Sequence, residues 1–86
     1  MYEIVLTEEA LGAYRRAGSP LVRKLNRCFD TLRTNPYSHP NIKRLAGELR
    51  GRFRYRVGDW RVVYRVDEQE RRVTILVIAH RGSVYN

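Results

Sequence analysis

Hydrophobic and polar residues alternate with period two on both sides of the dipeptide Gly58-Asp59. Such a dipeptide between alternating segments is typical of a two-residue β-hairpin, so strands are predicted over residues 52–57 and 60–66. Val57 then pairs with Trp60, and cross-strand partners share one face of the sheet. One face carries the apolar side chains that we expect in the core: Phe53, Tyr55, Val57, Trp60, Val62 and Tyr64. The opposite face, here called the arginine face, surrounds the apolar Val63 with Arg52, Arg54, Arg56, Arg61 and Arg65.

The residues before the hairpin predict a short strand and two helices. Residues 1–6 alternate as a strand does, and Thr7 is suited to cap a helix that ends at Gly18. Ser19-Pro20 marks a second helix with Ser19 as its N-cap, and Asn35-Pro36 marks its end. Between these two signals, apolar residues recur at helical spacing: Leu21, Leu25, Cys28, Phe29 and Leu32. We therefore expect an αα-hairpin that covers one face of the sheet.

The remaining segments complete one domain, which spans residues 1–86. An irregular stretch over residues 43–51 leads into the hairpin, and a polar turn follows the hairpin at residues 67–71. Residues 73–79 are nearly all apolar, which favours a strand buried on both faces, and a polar tail begins at His80. The predicted fold is α+β: an N-terminal strand, an αα-hairpin and a three-stranded antiparallel meander in one sheet, with the helices on one face.

Folding alone gives no reason for the arginine face, because like charges directly opposite one another destabilise a sheet. The chain carries 17 Lys and Arg residues against 9 Asp and Glu, a formal net charge of +8, and only Lys24 and Lys43 are lysines. Basicity of this degree indicates a nucleic acid, an acidic protein or an anionic membrane surface as a partner. The planar guanidinium grips phosphate with two parallel hydrogen bonds, which favours a phosphate-bearing partner.

Several classes of chemistry are not expected from this sequence. The single Cys28 excludes an intramolecular disulfide and suits a reducing compartment. No apolar signal segment or membrane-spanning run is found, so we expect a cytoplasmic protein without membrane association. No metal-ligand spacing, phosphate-binding Gly-rich loop or Ser/His/Asp arrangement is found either, so we expect no metal and no other cofactor.

The register of the hairpin extends to the last predicted strand. If Val66 pairs with Val73, three residues of that strand join the arginine face: Leu76, Ile78 and His80. Arg81 and Tyr85 would follow beside this face. Such a cluster suits cleavage of a phosphodiester by its neighbouring 2′-hydroxyl, because preorganised guanidinium groups stabilise the charge that develops in the transition state.

The cluster also needs a proton carrier. Arginine is a poor one at neutral pH, because its pKa lies above about 12. Three other residues are candidates: Tyr85, His80 and Lys43. We prefer Tyr85 to His80, since nearby cations lower the pKa of a phenol from about 10, whereas a histidine at a strand end is more often structural.

Four segments resemble the RelE/ParE superfamily of bacterial and archaeal toxins, on the RelE side: KRLAGELRG at 43–51, FRYRVGDWRVVY at 53–64, HR at 80–81 and VY at 84–85. The resemblance implies a ribosome-dependent enzyme that cuts mRNA in the A site without metal and is neutralised by a small RelB-like antitoxin. By position it implies five catalytic residues: Arg54, Arg56, Arg61, Arg81 and Tyr85. Further basic residues are expected to bind RNA: Lys43, Arg44, Arg50, Arg52 and Arg65.

Two other functions remain open. A ParE-like inhibitor of DNA gyrase without nuclease activity would have the same fold and basic hairpin, and Arg81 together with Tyr85 favours RNA cleavage over it. A plain RNA-binding module is less favoured, because alternation directs the aromatic residues of the hairpin to the core, where they cannot stack on bases.

Overall fold

Residues 1–82 are described by the structure, a computed structural model. In chain order the elements are β1 (Glu3–Leu6), α1 (Glu8–Arg16), α2 (Ser19–Thr34), β2 (Ile42–Arg44), a 3-10 turn (Gly47–Leu49), β3 (Phe53–Val57), β4 (Trp60–Asp67) and β5 (Arg72–His80). The strands form one sheet in the order β1-β5-β4-β3-β2. β1 runs parallel to β5, and the other neighbouring strands are antiparallel. The predicted α+β class, with both helices on one face of a single sheet, is confirmed.

Thr7 begins α1, as the sequence predicts. Its hydroxyl oxygen accepts a hydrogen bond from the Ala10 amide at 3.2 Å, and the hydroxyl donates to the Leu76 carbonyl at 2.9 Å. Glu8 and Glu9 occupy the first turn, where negative charge is favourable at the positive end of the helix dipole. The cap therefore joins α1 to β5 as well as starting the helix.

Gly18, and not the predicted Ser19, is the N-cap of α2. The Gly18 carbonyl already accepts a hydrogen bond from the Val22 amide at 3.0 Å, so Ser19 lies inside the helix. The predicted end is confirmed, because Asn35 leaves the helical conformation with φ −154° and Pro36 follows it. Four residues on the inner side of α2 are buried against the sheet: Leu25, Cys28, Phe29 and Leu32. No helix within residues 1–82 is long and apolar enough to cross a membrane.

Aromatic side chains of the hairpin lie at the centre of the core, as the alternation predicts. The rings of Phe53 and Tyr64 stack with centroids 5.5 Å apart. The buried Tyr64 hydroxyl donates to the Pro36 carbonyl at 2.7 Å, which satisfies a polar group that burial would otherwise leave without a partner. The predicted hairpin register is confirmed from Phe53 opposite Tyr64 to Val57 opposite Trp60.

β2 is a strand that the sequence does not reveal. Residues 43–51 are predicted above to be irregular throughout, yet β2 pairs with β3 and places Lys43 opposite Arg54. Three residues are too few for an alternation of polar and apolar positions to be recognised. The sheet therefore has one strand more than predicted, and the additional strand forms the edge beside the arginine face.

The predicted pairing of Val66 with Val73 is confirmed, but a β-bulge interrupts the ladder between β4 and β5. Leu76 is the extra residue, and Val77 takes the position opposite Val63 that Leu76 was predicted to occupy. Because side chains alternate with a period of two, one extra residue moves every later side chain of β5 to the opposite face.

The bulge changes the composition of the arginine face. Ile78 packs in the core, and His80 lies opposite Trp60, with the two rings in edge contact at 5.5 Å. The prediction that Ile78 and His80 share the arginine face is therefore wrong, and Ala79 takes the position opposite Arg61 that Ile78 was predicted to occupy. His80 is also the last residue of β5 rather than the start of a tail.

Candidate phosphate-binding cleft

A cleft of about 530 Å³ opens between the arginine face and the segment that joins β2 to β3. Its lining residues are Lys43, Arg44, Leu45, Ala46, Leu49, Arg54 and Arg61. Among these described residues, four are basic and none is acidic. The cleft therefore concentrates positive charge on a concave surface, which attracts anionic ligands.

Strand pairing brings the basic side chains of the cleft together. Lys43 of β2 lies opposite Arg54 of β3, and Arg54 lies opposite Val63 of β4. Arg56 lies opposite Arg61 at the end of the hairpin. Neighbouring strands are about 4.7–4.9 Å apart, so these cations share one small area of the sheet.

The segment between β2 and β3 folds back over the sheet and forms an apolar wall. The Leu45 amide donates to the Arg52 carbonyl at 3.0 Å, and the Arg52 amide donates to the Leu49 carbonyl at 3.1 Å. Positive φ angles of 66° at Gly47 and 90° at Gly51 permit this reversal. Apolar atoms beside the guanidinium groups reduce the screening of their charge, so a bound anion is held more strongly.

Arg54 and Arg61 are the half-buried cations of the cleft, and Arg54 contains a buried donor. Its Nε atom is buried and has no hydrogen-bond partner within residues 1–82. Burial, and then the positive charges of Arg61 and Arg56, lower the pKa of the Arg54 guanidinium from its ordinary value. Folding therefore leaves a desolvated donor among like charges, a state that an anion accepting a hydrogen bond from Nε would relieve.

Backbone carbonyl groups of the hairpin turn orient Arg61. Its Nη1 donates to the Trp60 carbonyl at 3.2 Å and to the Gly58 carbonyl at 3.4 Å. These contacts position the guanidinium without neutralising it. The ion pairs formed within residues 1–82 involve other arginines: Arg33, Arg71, Arg72 and Arg81.

Arg81 follows β5 at the turn end of the sheet. Its amide donates to the Asp59 carbonyl at 2.7 Å, and its Nε lies 3.8 Å from a carboxylate oxygen of Asp59. Both side chains are more than half exposed, and an exposed pair is worth about 0–1 kcal/mol. The last pair of β5 is His80 opposite Trp60, so Arg81 lies just beyond the strand, beside the hairpin turn and close to the end of the arginine face that carries Arg61. Asp59 therefore leaves this guanidinium available to a stronger anionic ligand.

Of the remaining basic residues predicted to bind RNA, one borders the cleft and three do not. Arg44 borders it, but its guanidinium lies 5.2 Å from the ring centroid of Phe53, toward the helix-covered face. Three others do not line the cleft: the exposed Arg50 and Arg65 and the half-buried Arg52. Sequence reasoning missed the apolar wall, for which the only signal was the pair of glycines, Gly47 and Gly51, within the nine residues predicted to be irregular.

The structure describes two of the three candidate proton carriers, and of these two only Lys43 is found in the cleft. Lys43 lines it directly. His80 lies on the helix-covered face and lines a separate groove with Leu21 and Trp60. Tyr85 lies outside the described residues.

Two other kinds of site are not formed by residues 1–82. No group of three or more His, Cys, Asp or Glu side chains in this range is placed to hold a metal ion. Cys28 is buried in the core, and burial raises the pKa of its thiol. The reactive thiolate form is therefore disfavoured at this position.

The chain is similar to toxins of bacterial and archaeal toxin–antitoxin systems. Residues 4–85 match the family described as ParE toxin of type II toxin-antitoxin system, parDE. Toxin RelE of Mycobacterium tuberculosis is 42% identical over 57 residues, 66% of this chain and 57% of that protein. Toxin RelG of the same organism is 42% identical over 43 residues, 50% of this chain and 49% of that protein. The chain thus spans about half the length of these curated relatives.

Solved structures share its fold over nearly the whole chain. The RelBE2 toxin–antitoxin complex of Mycobacterium tuberculosis matches with a TM-score of 0.80 and 28% identity, over 93% of this chain and 98% of that one. The archaeal RelE–RelB complex of Pyrococcus horikoshii OT3 matches with a TM-score of 0.81 and 24% identity, over 96% and 98%. A YoeB/ParE toxin of Agrobacterium tumefaciens matches with a TM-score of 0.82 and 22% identity, over 91% and 96%. At these last two identities the likeness is one of fold alone.

Proposed function

Because the chain belongs to the family of ParE toxins of type II toxin–antitoxin systems, within the RelE/ParE superfamily, we propose that it is a ribosome-dependent mRNA endonuclease that inhibits translation. The observation that carries this proposal is the unpartnered Arg54 Nε, in a cleft shared with Lys43 and Arg61 and lined by no described acidic residue. A phosphodiester supplies both the negative charge and the hydrogen-bond acceptors that this arrangement lacks. The relatives named RelE and RelG support a RelE-like activity for this chain rather than a ParE-like one.

In the proposed reaction, the 2′-hydroxyl of a nucleotide in the A site attacks the adjacent phosphorus. The bond between O2′ and phosphorus forms, the bond to the 5′-oxygen breaks, and the products are a 2′,3′-cyclic phosphate and a 5′-hydroxyl. A base accepts the proton of the 2′-hydroxyl, and an acid donates one to the leaving 5′-oxygen. Arg54 and Arg61 stabilise the negative charge that grows on the phosphoryl oxygens, and Arg56 and Arg81 hold flanking phosphates.

The proton carriers in this proposal are Lys43 and Tyr85. Lys43 is supported by its place in the cleft opposite Arg54. Tyr85 is proposed on the resemblance to RelE-type toxins alone. His80 is the weakest of the three candidates, because the bulge in β5 places it beside Trp60 on the other face of the sheet.

A RelB-like antitoxin is the proposed inhibitor. RelE toxins with the same fold have been solved together with RelB antitoxins. An acidic, amphipathic segment laid across the helices and the open parts of the sheet would match a chain of net charge +8 and would fold as it binds.

Primer extension on a translated message, after induction of the toxin, tests the proposed activity. New 5′ ends inside coding regions that appear only when the message is translated are the expected result. Supercoiling by purified gyrase is measured in parallel and should not change. Inhibited supercoiling without cuts in the message would contradict the proposal and support the ParE-like alternative, since the matched family is described as ParE toxin.

A further inference from the structure

A second basic groove, of about 240 Å³, lies between α2 and the end of β3. Its lining residues are Lys24, Arg27, Asn41, Tyr55, Arg56, Val57 and Gly58. We infer that this groove, here called the edge groove, binds the sugar-phosphate backbone of a single RNA strand that continues from the cleft on the arginine face. The inference rests on the proposed RNA target and adds a second binding site for it.

The edge groove exists because β2 pairs with only the first three residues of β3 and leaves the end near the hairpin turn uncovered. The last pair of the two strands toward the hairpin turn is Ile42 opposite Tyr55. One further hydrogen bond joins the Arg56 amide to the Asn41 carbonyl at 3.0 Å. Val57 then has no partner in β2, so the strand edge is open to the side chains of α2.

Two cations of α2 stand over this opening without acidic partners. Residues three apart are neighbours on a helix surface, so Lys24 and Arg27 lie side by side. Both are exposed, and neither takes part in an ion pair within residues 1–82. The next acidic residue of the helix, Asp30, is engaged by Arg33. Like charges at this spacing weaken a helix, so the pair has no evident role in folding.

Arg56 connects the edge groove to the cleft. It lines the groove, and its cross-strand partner Arg61 lines the cleft. An RNA strand whose scissile phosphate lies in the cleft therefore meets Arg56 first and then Lys24 and Arg27. The basic path ends beyond Lys24, because the acidic Asp59 lines the adjoining depression.

The shape and chemistry of this path favour a single strand held by its backbone. The path crosses one strand spacing of about 4.7–4.9 Å from Arg61 to Arg56 and then turns around the edge of the sheet to the side that carries α2, a bend that a stiff duplex does not follow. Tyr55 is only 7% exposed, and its ring is stacked on His39 at 5.2 Å. The groove thus presents charge rather than a stacking platform, and binding there should not depend on base sequence.

Titration of a fluorescent 2′-O-methyl RNA dodecamer, followed by anisotropy at several salt concentrations, tests the inference. This probe cannot be cut through its 2′ oxygen, so the result stands whether or not the protein is a nuclease, and a failed cleavage assay would not affect it. Each phosphate contact to a single strand contributes about 0.7 to the slope of log affinity against log salt. The double variant Lys24→Gln/Arg27→Gln should therefore bind more weakly, with a slope smaller by roughly 1.4.

Arg15→Gln/Arg16→Gln is the matched control, because it removes the same charge from two exposed residues at the end of α1. Its slope should stay close to that of the wild type. Equal losses of affinity in the two double variants would show that Lys24 and Arg27 contribute only diffuse charge, which would contradict the inference. An unchanged affinity in Lys24→Gln/Arg27→Gln would show that the edge groove does not bind RNA. Thermal melts of both variants should match the wild type, which excludes unfolding as the cause.

Discussion

At the scale of single residues, Arg54 shows which features of the candidate site can be predicted from the sequence and which cannot. Alternation along the hairpin correctly assigns it to the arginine face, opposite Val63. Alternation does not reveal that its Nε is buried without a partner, or that it shares a cleft with a wall formed around Leu45 and Leu49. That wall is a loop whose path is set by backbone reversal at two glycines, and no periodic pattern encodes such a path.

Arg54→Met should leave stability unchanged or raise it by up to about 1 kcal/mol, because it removes a desolvated donor and relieves repulsion from Arg61 and Arg56. Growth inhibition should be lost. Thermal unfolding measures the stability of this variant, and a growth assay measures its toxicity. The control is Arg15→Met, at an exposed position, which should keep the stability and the toxicity of the wild type. A large fall in melting temperature with toxicity retained would show that Arg54 serves the fold.

Substitutions of the three proton-carrier candidates should separate charge from proton transfer. Lys43→Arg keeps the positive charge in the cleft but removes an amine, and general acid–base roles are typically worth ~10²–10⁴-fold in rate. A loss in that range is expected in single-turnover cleavage on programmed ribosomes for Lys43→Arg or Tyr85→Phe. His80→Gln should cut at the native rate, since His80 lies on the other face. An inactive His80→Gln beside an active Lys43→Arg would reverse this assignment.

At the scale of elements, predictability follows the length and regularity of the pattern. The hairpin and α2 were predictable, because each has a long alternation or stripe and clear end signals. β2 was not, since its three residues show no period. The bulge at Leu76 was hidden because the residues around it, from Ile75 to Ala79, are all apolar, so no alternation marks the change of face.

The turn between β4 and β5 is tied to two distant segments by the carboxylate of Glu68. Glu68 accepts hydrogen bonds from the hydroxyls of Tyr37 and, at 2.8 Å, Tyr2, and from Arg71 Nη1 at 2.7 Å. Arg71 has a positive φ of 52°, a costly conformation for a residue with a side chain, and its guanidinium also lies 4.2 Å from the Tyr2 ring centroid. This cluster therefore compensates local strain and fastens the N-terminal strand.

Glu68→Gln should lower the melting temperature at neutral pH, and the difference from wild type should shrink in acid. The hydrogen bonds from Tyr37 and then Tyr2 lower the pKa of the Glu68 carboxyl from its ordinary value near 4.5. A lowered pKa in the folded state means that the stabilisation is present above that ordinary value and is lost as pH falls through the folded-state pKa. Melting curves across this range check the sign, with the exposed Glu70→Gln as the control. A difference that stays constant into acid would contradict it.

At the scale of the whole molecule, function is divided between the two sides of one sheet. The helices cover one face and supply the core, and this division is predictable from the apolar stripe of α2 and the alternation of the hairpin. The other face is left to cations, because three of the acidic residues that form ion pairs in residues 1–82 lie elsewhere: Glu3, Asp30 and Glu68. The fourth, Asp59, makes only a long, exposed contact with Arg81 at the turn end of the sheet. The way in which the loop between β2 and β3 completes the cleft could not be predicted from the sequence and is seen only in the structure.

Association with the proposed antitoxin should slow steeply as salt is added. Electrostatic steering between a basic face and an acidic partner raises association rates by about 10–10³ and is screened by ions. Stopped-flow association rates over a series of salt concentrations provide the measurement. A rate that does not respond to ionic strength would mean that the net charge of +8 does not guide the complex.

The most direct measurement is single-turnover cleavage by Arg61→Ala on programmed ribosomes at saturating concentration. If the cleft stabilises the transition state, the cleavage rate should fall by at least about 10²-fold, while melting temperature and ribosome binding remain close to wild type. Arg15→Ala, which removes an exposed arginine of α1, should cut normally. Cleavage at the native rate by Arg61→Ala would contradict the assignment of phosphodiester chemistry to this cleft.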